Sequence, residues 1–201
     1  MIIVKLADGS LWVNSPVSVP IEVLDHIKAS GPVRYLVAPK VAYVALGEWH
    51  ALFPEAELWI PRHDPNASKR LPSTRILGGV SPPVWAADLD ELCFKGNLFI
   101  QEAFFFHKLS RTLIVADFIQ NHPIEPGKPL LNALWRLGGV AYPQGGIPLD
   151  VRLSFTGRTL ARRSLETLLL WDFDKLIIAH GVCVEKEAKP FMEQTFRWLA
   201  H

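Results

Sequence analysis

Short apolar runs broken by prolines, glycines and polar turns dominate the chain, and their period alternates between two and roughly 3.6. Ile2–Leu6 and Leu11–Asn14 flank Ala7-Asp8-Gly9-Ser10, whose Asp-Gly pair tolerates positive φ and so predicts a hairpin. Pro20 opens a helical pattern carried by Ile21, Leu24 and Ile27, and Gly31-Pro32 closes it. Val33–Ala38 reads as a buried strand, Gly47–Phe53 as a short helix and Glu57–Ile60 as a further strand. Arg62–Thr74 is polar and punctuated by prolines, which predicts an exposed loop. Leu92–Lys95, Leu98–His107 and Arg111–Ala116 read as successive strands, the last two joined through Lys108–Ser110. Along the middle one, Ala103, Phe105 and His107 share one face while Phe104 and Phe106 share the other. Aromatic residues on both faces predict a strand covered on both sides. Helices are expected over Pro129–Leu137, Arg158–Trp171 and Glu185–Ala200, with a last strand at Lys175–Ala179. This alternation implies a layered α/β fold, and no internal repeat at a fixed period competes with it.

Two of the predicted strands end in a polar side chain. Arg111-Thr-Leu-Ile-Val-Ala-Asp117 delivers a carboxylate, and Leu176-Ile-Ile-Ala-His180-Gly181 delivers an imidazole. Buried strands that present chemistry at their carboxyl ends are how α/β enzymes build sites, so Asp117 and His180 are the leading candidates for a shared one. Composition narrows the partners. The 201 residues are 49% hydrophobic and 20% charged, enough for one well-cored domain spanning 1–201 and too apolar for disorder. Lys plus Arg is 21 against Asp plus Glu at 20, which leaves no electrostatic footprint for nucleic acid or an anionic membrane. The apolar runs fall short of the ~20 residues that span a bilayer, and the N-terminus lacks a signal-peptide pattern. Cys93 and Cys183 are far apart and read as reduced, buried small hydrophobes, so a cytoplasmic location is expected.

The segment Ala161-Arg-Arg-Ser164-Leu-Glu-Thr-Leu168 through Asp174-Lys-Leu-Ile-Ile-Ala-His180-Gly181 resembles the serine-leucine helix and final histidine strand of the metallo-β-lactamase superfamily. Thr112-Leu-Ile-Val-Ala-Asp117 is similar to the strand that ends in that family's metal-bridging aspartate. Within the superfamily the chain resembles an uncharacterised branch, on the phrases Leu36-Val-Ala-Pro, Gly47-Glu-Trp49 and Phe105-Phe-His-Lys-Leu-Ser-Arg-Thr-Leu113. The resemblance implies a four-layer αββα sandwich of two mixed sheets. It also exposes a departure. Laid over the family's His-x-His-x-Asp-His-x-Gly signature, Val37–Gly47 keeps the glycine but puts Lys40, Ala42, Val44 and Ala45 in the four ligand places. Leu98 stands where a further histidine is expected, so of the usual ligands only Asp117 and His180 remain. Two-metal hydrolysis needs donors for two cations about 3.5–4 Å apart, and one carboxylate with one imidazole cannot supply them.

The expectation is therefore a metallo-β-lactamase-fold protein whose dinuclear site is largely lost and whose cleft is kept for a small molecule or a protein partner. The alternative is a hydrolase of an ester, thioester or phosphodiester, with Asp117 and His180 as an acid–base pair or as ligands of one metal. No cofactor is expected; if an ion binds, it is one divalent zinc, iron or manganese on Asp117 and His180. Each candidate also has a structural reading. Asp117 either serves the site or accepts backbone N–H groups and pairs with Arg111 or Arg158. His107 either lines the site or is a satisfied strand-end histidine. Lys40 and Tyr43, in place of the metal loop, either hold an anionic ligand or are solvated. Gly181 permits the close backbone approach that a ligand-lining loop would use. His50 and His122 are weaker recruits, and the aromatic surplus leaves homo-oligomerisation open.

Overall fold

Asp8 sets the first turn of the chain: its Oδ1 accepts the Ser10 N–H at 2.9 Å and the Ser10 hydroxyl at 2.6 Å, while Gly9 takes a φ of +84°. The predicted hairpin follows, β1 (Ile2–Lys5) antiparallel to β2 (Leu11–Asn14), with Val4 opposite Trp12. The computed structural model describes residues 1–40, 45–61 and 74–199. They divide into two compact units, Met1–Gly78 with Pro82–Asp88, and Gly79–Ser81 with Leu89–His201.

The N-terminal unit continues through α1 (Ile21–Ser30), β3 (Val33–Val37), α2 (Leu46–Leu52), β4 (Glu57–Pro61) and β5 (Thr74–Leu77). Its strands form one mixed sheet in the order β1-β2-β3-β4-β5, parallel from β2 onward. Leu11, Val13, Leu36, Leu58 and Ile60 pack with Ile27 of α1 and with Leu46 and Trp49 of α2. Strand alternation sends Trp12, Tyr35 and Trp59 elsewhere, to a cluster in which each ring meets Trp85 edge-on, at centroid distances of 6.3, 5.2 and 4.6 Å. Strand β5 is absent from the sequence-based expectation. Arg75 and Ile76 are exposed on it, as on any sheet edge, so it lacks the apolar run that marks a buried strand; the Arg75–Glu57 ion pair at 2.9 Å ties it to β4. The rest of the predicted Arg62–Thr74 loop lies outside the described residues.

The C-terminal unit carries a second mixed sheet, β6 (Leu89–Phe94), β7 (Glu102–His107), β8 (Thr112–Ile114) and, after β9 (Gln120–Asn121), β10 (Lys175–Ile177). The order is β10-β8-β7-β6, with β10 parallel to β8 and the other pairs antiparallel. Between β9 and β10 lie α3 (Pro129–Leu137), α4 (Leu149–Leu153) and α5 (Arg158–Leu169). The chain ends through β11 (His180–Gly181), which pairs with β9, α6 (Ala188–Phe196) and a 3₁₀ turn at Arg197–Leu199. The five-residue α4 is too short to show a helical period, so its sequence reads as connection. Helix α6 starts later than the pattern suggests, because Glu187 before it adopts a left-handed φ of 58°.

Phe94, Phe104, Phe106, Leu113 and Val115 pack against Ala161 and Leu168 of α5 and Met192 and Phe196 of α6. Phe94 sits between the rings of Phe104 and Phe196, at 5.1 and 5.0 Å. Phe105, on the opposite face of β7, is fully buried as well, as expected for a strand covered twice. The serine of the serine-leucine helix acts locally. Ser164 Oγ accepts the Lys95 N–H at 3.1 Å and donates to the Leu160 carbonyl, binding α5 to the end of β6. Among the described residues no helix is long and apolar enough to cross a membrane.

Candidate functional site

Strands β8 and β10 run parallel and in register, Leu113 opposite Leu176 and Ile114 opposite Ile177. The pairing continues past their ends, from the Val115 N–H to the Ile177 carbonyl at 2.9 Å and from the Ala179 N–H to the Ala116 carbonyl at 3.2 Å. Both chains therefore reach their carboxyl ends side by side. Asp117 leaves one and His180 the other, and His180 Nε2 lies 3.2 Å from Asp117 Oδ1. The His180 side chain is 48% exposed and that of Asp117 26%, so the pair meets solvent.

A residue that sequence reasoning misses holds the Asp117 turn. Glu102, at the head of β7 and 1% exposed, accepts the backbone N–H groups of Ala116, Asp117 and Phe118 at 2.5, 2.8 and 3.1 Å. A buried carboxylate is costly unless hydrogen bonds replace its hydration, and three N–H donors do so here. A signal exists: a lone acid directly before Ala103-Phe-Phe-Phe has no reason to enter a core unless something inside needs an acceptor.

Beyond the turn, β9 runs parallel to β11 and sets Gln120 opposite His180. Gly181 adopts a φ of +103°, and a Cβ there would fall 2.1 Å from the Asn121 carbonyl oxygen. The glycine after His180 thus serves close approach by the chain's own backbone; the expected ligand-lining purpose is not what the geometry uses. His122 follows. Its Nε2 lies 2.9 Å from Gln120 Oε1, which requires the proton on Nε2, and its ring stacks on Trp135 at 4.8 Å and 6°. Burial, and then the neighbouring His180, hold the His122 pKa below its ordinary value. The cluster is therefore a half-exposed Asp117–His180 pair beside a histidine that favours its neutral form.

His107 lies away from this pair. His107 opposes Thr112 at the start of β8, with its Nδ1 2.7 Å from the Ser110 hydroxyl, which in turn donates to Thr112 Oγ1 at 2.7 Å. Thr112 opens β8 and Asp117 lies beyond its carboxyl end, so His107 belongs to the opposite end of the strand. Arg111 turns away from Asp117 to pair with Asp172 at 2.8 Å, which replaces the ion pair expected for it. Lys40 follows β3, half-buried, in the N-terminal unit. Tyr43 lies outside the described residues, as do Ala42 and Val44. Cys93 is only partly buried and Cys183 is an exposed free thiol, so neither is the buried residue that the sequence suggests.

Among the described residues the donors do not form a dinuclear metal centre. Among the described residues no group of three or more His, Cys, Asp or Glu is placed to hold a metal ion. Ala45 is buried and apolar, and Leu98 is 62% exposed on a loop. Where His180 Nε2–H donates to Asp117, that nitrogen has no lone pair left for a cation.

Comparison with solved structures shows the fold. The chain matches a metallo-β-lactamase from Pontibacter korlensis at 11% identity and a TM-score of 0.59, over 99% of this chain and 86% of the other. It matches a metallo-β-lactamase from Hirschia baltica at 11% identity and 0.59, over 98% and 84%. It also matches the flavodiiron protein from Giardia intestinalis at 14% identity and 0.63, over 98% of this chain and 50% of that one. The chain has the metallo-β-lactamase fold, and its two mixed sheets and helices are consistent with the αββα sandwich. A family profile described as a domain of unknown function, DUF4336, matches residues 1–133, and the chain belongs to that family. No curated protein matches it.

Two outcomes test this site. Glu102→Gln leaves one acceptor for three N–H groups and turns an amide donor toward them. It should lower unfolding free energy by about 2–4 kcal/mol in urea titration at neutral pH. For His122 the depressed folded pKa means that the unfolded chain takes up a proton first as pH falls. Its contribution is fully present above the ordinary value of 6.5 and is lost as pH drops through that value toward the lower folded one. The urea midpoint should therefore decline on acidification through this window, and more shallowly in His122→Gln.

Proposed function

We propose that this chain is a ligand-binding protein built on the metallo-β-lactamase fold, working without a dinuclear metal centre. The observation that carries the reading is the 3.2 Å contact between Asp117 Oδ1 and His180 Nε2. Two groups that would otherwise hold cations face one another, and the other family ligand places hold Lys40, Ala42, Val44, Ala45 and Leu98. The exposed part of His180, with Gln120 and His122 beside it, offers hydrogen-bond donors and acceptors to a polar small molecule. Metal analysis of protein purified without chelator, followed by calorimetric zinc titration, tests this. The expected content is well below one ion per chain with no tight zinc uptake. Stoichiometric zinc, iron or manganese would overturn it.

The same pair motivates a second reading, hydrolysis of an ester, thioester or phosphodiester. A carboxylate beside an imidazole fixes the orientation and tautomer of the ring, the arrangement of a general base. Under the first reading a broad substrate panel shows no turnover, with or without added metal. Turnover that disappears in both Asp117→Ala and His180→Ala would instead establish the enzyme.

A further inference from the structure

The C-terminal unit holds a cavity of about 650 Å³ that is separate from the Asp117–His180 pair. One wall is the Gly139–Ile147 connection, fixed to β9 by paired hydrogen bonds between Gly146 and Gln120, both 2.9 Å. The facing walls come from α4 and from the C-terminal end of α6 with its 3₁₀ turn. That turn is itself anchored, because Arg162 Nε donates to the Leu199 carbonyl.

The lining has an uneven chemistry. It contains two guanidiniums, Arg152 and Arg197, two amides, Gln144 and Gln194, and no carboxylate. Neither arginine forms an ion pair with an acid among the described residues. Arg152 lies 5.4 Å over the ring of Trp198, which holds its planar fork against the cavity wall. Unlike scattered surface arginines, both line one cavity that holds no acid to answer their charge. The volume falls within the roughly 300–1,000 Å³ of small-molecule sites.

We propose that this cavity binds a small organic oxyanion, a phosphorylated or polycarboxylate metabolite, whose charged end is clamped by Arg152 and Arg197. The planar forks match the paired oxygens of either group, and the glutamines complete the polar contacts. This goes beyond the function proposed above and does not rest on it.

The test is a titration of the full chain, in ¹H–¹⁵N spectra at physiological ionic strength, with inorganic pyrophosphate and separately with citrate. Trp198→Phe assigns the indole N–H resonance. The expected result is a saturable shift of that resonance at up to millimolar anion, the preferred arm distinguishing phosphoryl from carboxylate chemistry. Arg152→Gln and Arg197→Gln should each weaken binding roughly tenfold. Arg152→Lys and Arg197→Lys, which keep the charge and the fold but lose the fork, should fall between. Absence of saturable shifts with both anions would overturn the proposal, as would binding that survives unchanged in the Arg152→Gln/Arg197→Gln double variant. Metal content plays no part in this readout, so its outcome is distinguishable from that of the metal analysis.

Discussion

The buried carboxylate of Glu102 is the constraint on which the site's geometry depends. It gathers three successive N–H groups, of Ala116, Asp117 and Phe118, at the point where β8 stops being a strand. Without an acceptor those groups would be buried donors with no ladder partner, because the chain there has left the sheet. With it, the turn has one conformation and Asp117 one direction. Hydrogen bonds to a charged group are each worth about 1.5–3 kcal/mol, more than any surface ion pair in this unit.

Convergence of Asp117 with His180 follows from topology. β8 and β10 are adjacent, parallel and in register, so residues that end them must meet. Gly181 extends the constraint, since only a residue without a Cβ lets β11 lie against Asn121. Glu102 and Gly181 thus fix the two sides of the pair independently, one through an acid and the other through the lack of a side chain.

The same topology explains what is legible in the chain and what is not. Apolar runs ending in Asp117 and His180 reveal strands with polar tips, and the 3.6 period of α5 is equally plain. Periodicity cannot reveal β5, an edge strand with Arg75 and Ile76 exposed, nor the five-residue α4. It also misplaces His107. A histidine at a strand end looks like a site residue, but antiparallel pairing sends β7's last residue to the beginning of β8, away from Asp117. Glu102 escapes notice for a different reason: an acid before an aromatic run hints at a buried acceptor, but the backbone groups it serves have no signature in sequence. His122 reads as peripheral because its partners, Gln120 at close range and Trp135 through stacking, gain meaning only once β9 turns back beside β11.

The energetics separate the frame from the pair it carries. Asp117 and His180 are partly solvated, and an exposed ion pair contributes about 0–1 kcal/mol whatever its protonation state. The frame around them, Glu102 and the Phe94–Phe104–Phe196 stack, contributes several times more. The Asp117–His180 contact itself therefore adds little to stability. A carboxylate and an imidazole are held at hydrogen-bond distance, at the carboxyl ends of two strands, by a frame built from other residues. That separation is why changes at Asp117 and His180 can be read as statements about function, whereas changes at Glu102 cannot.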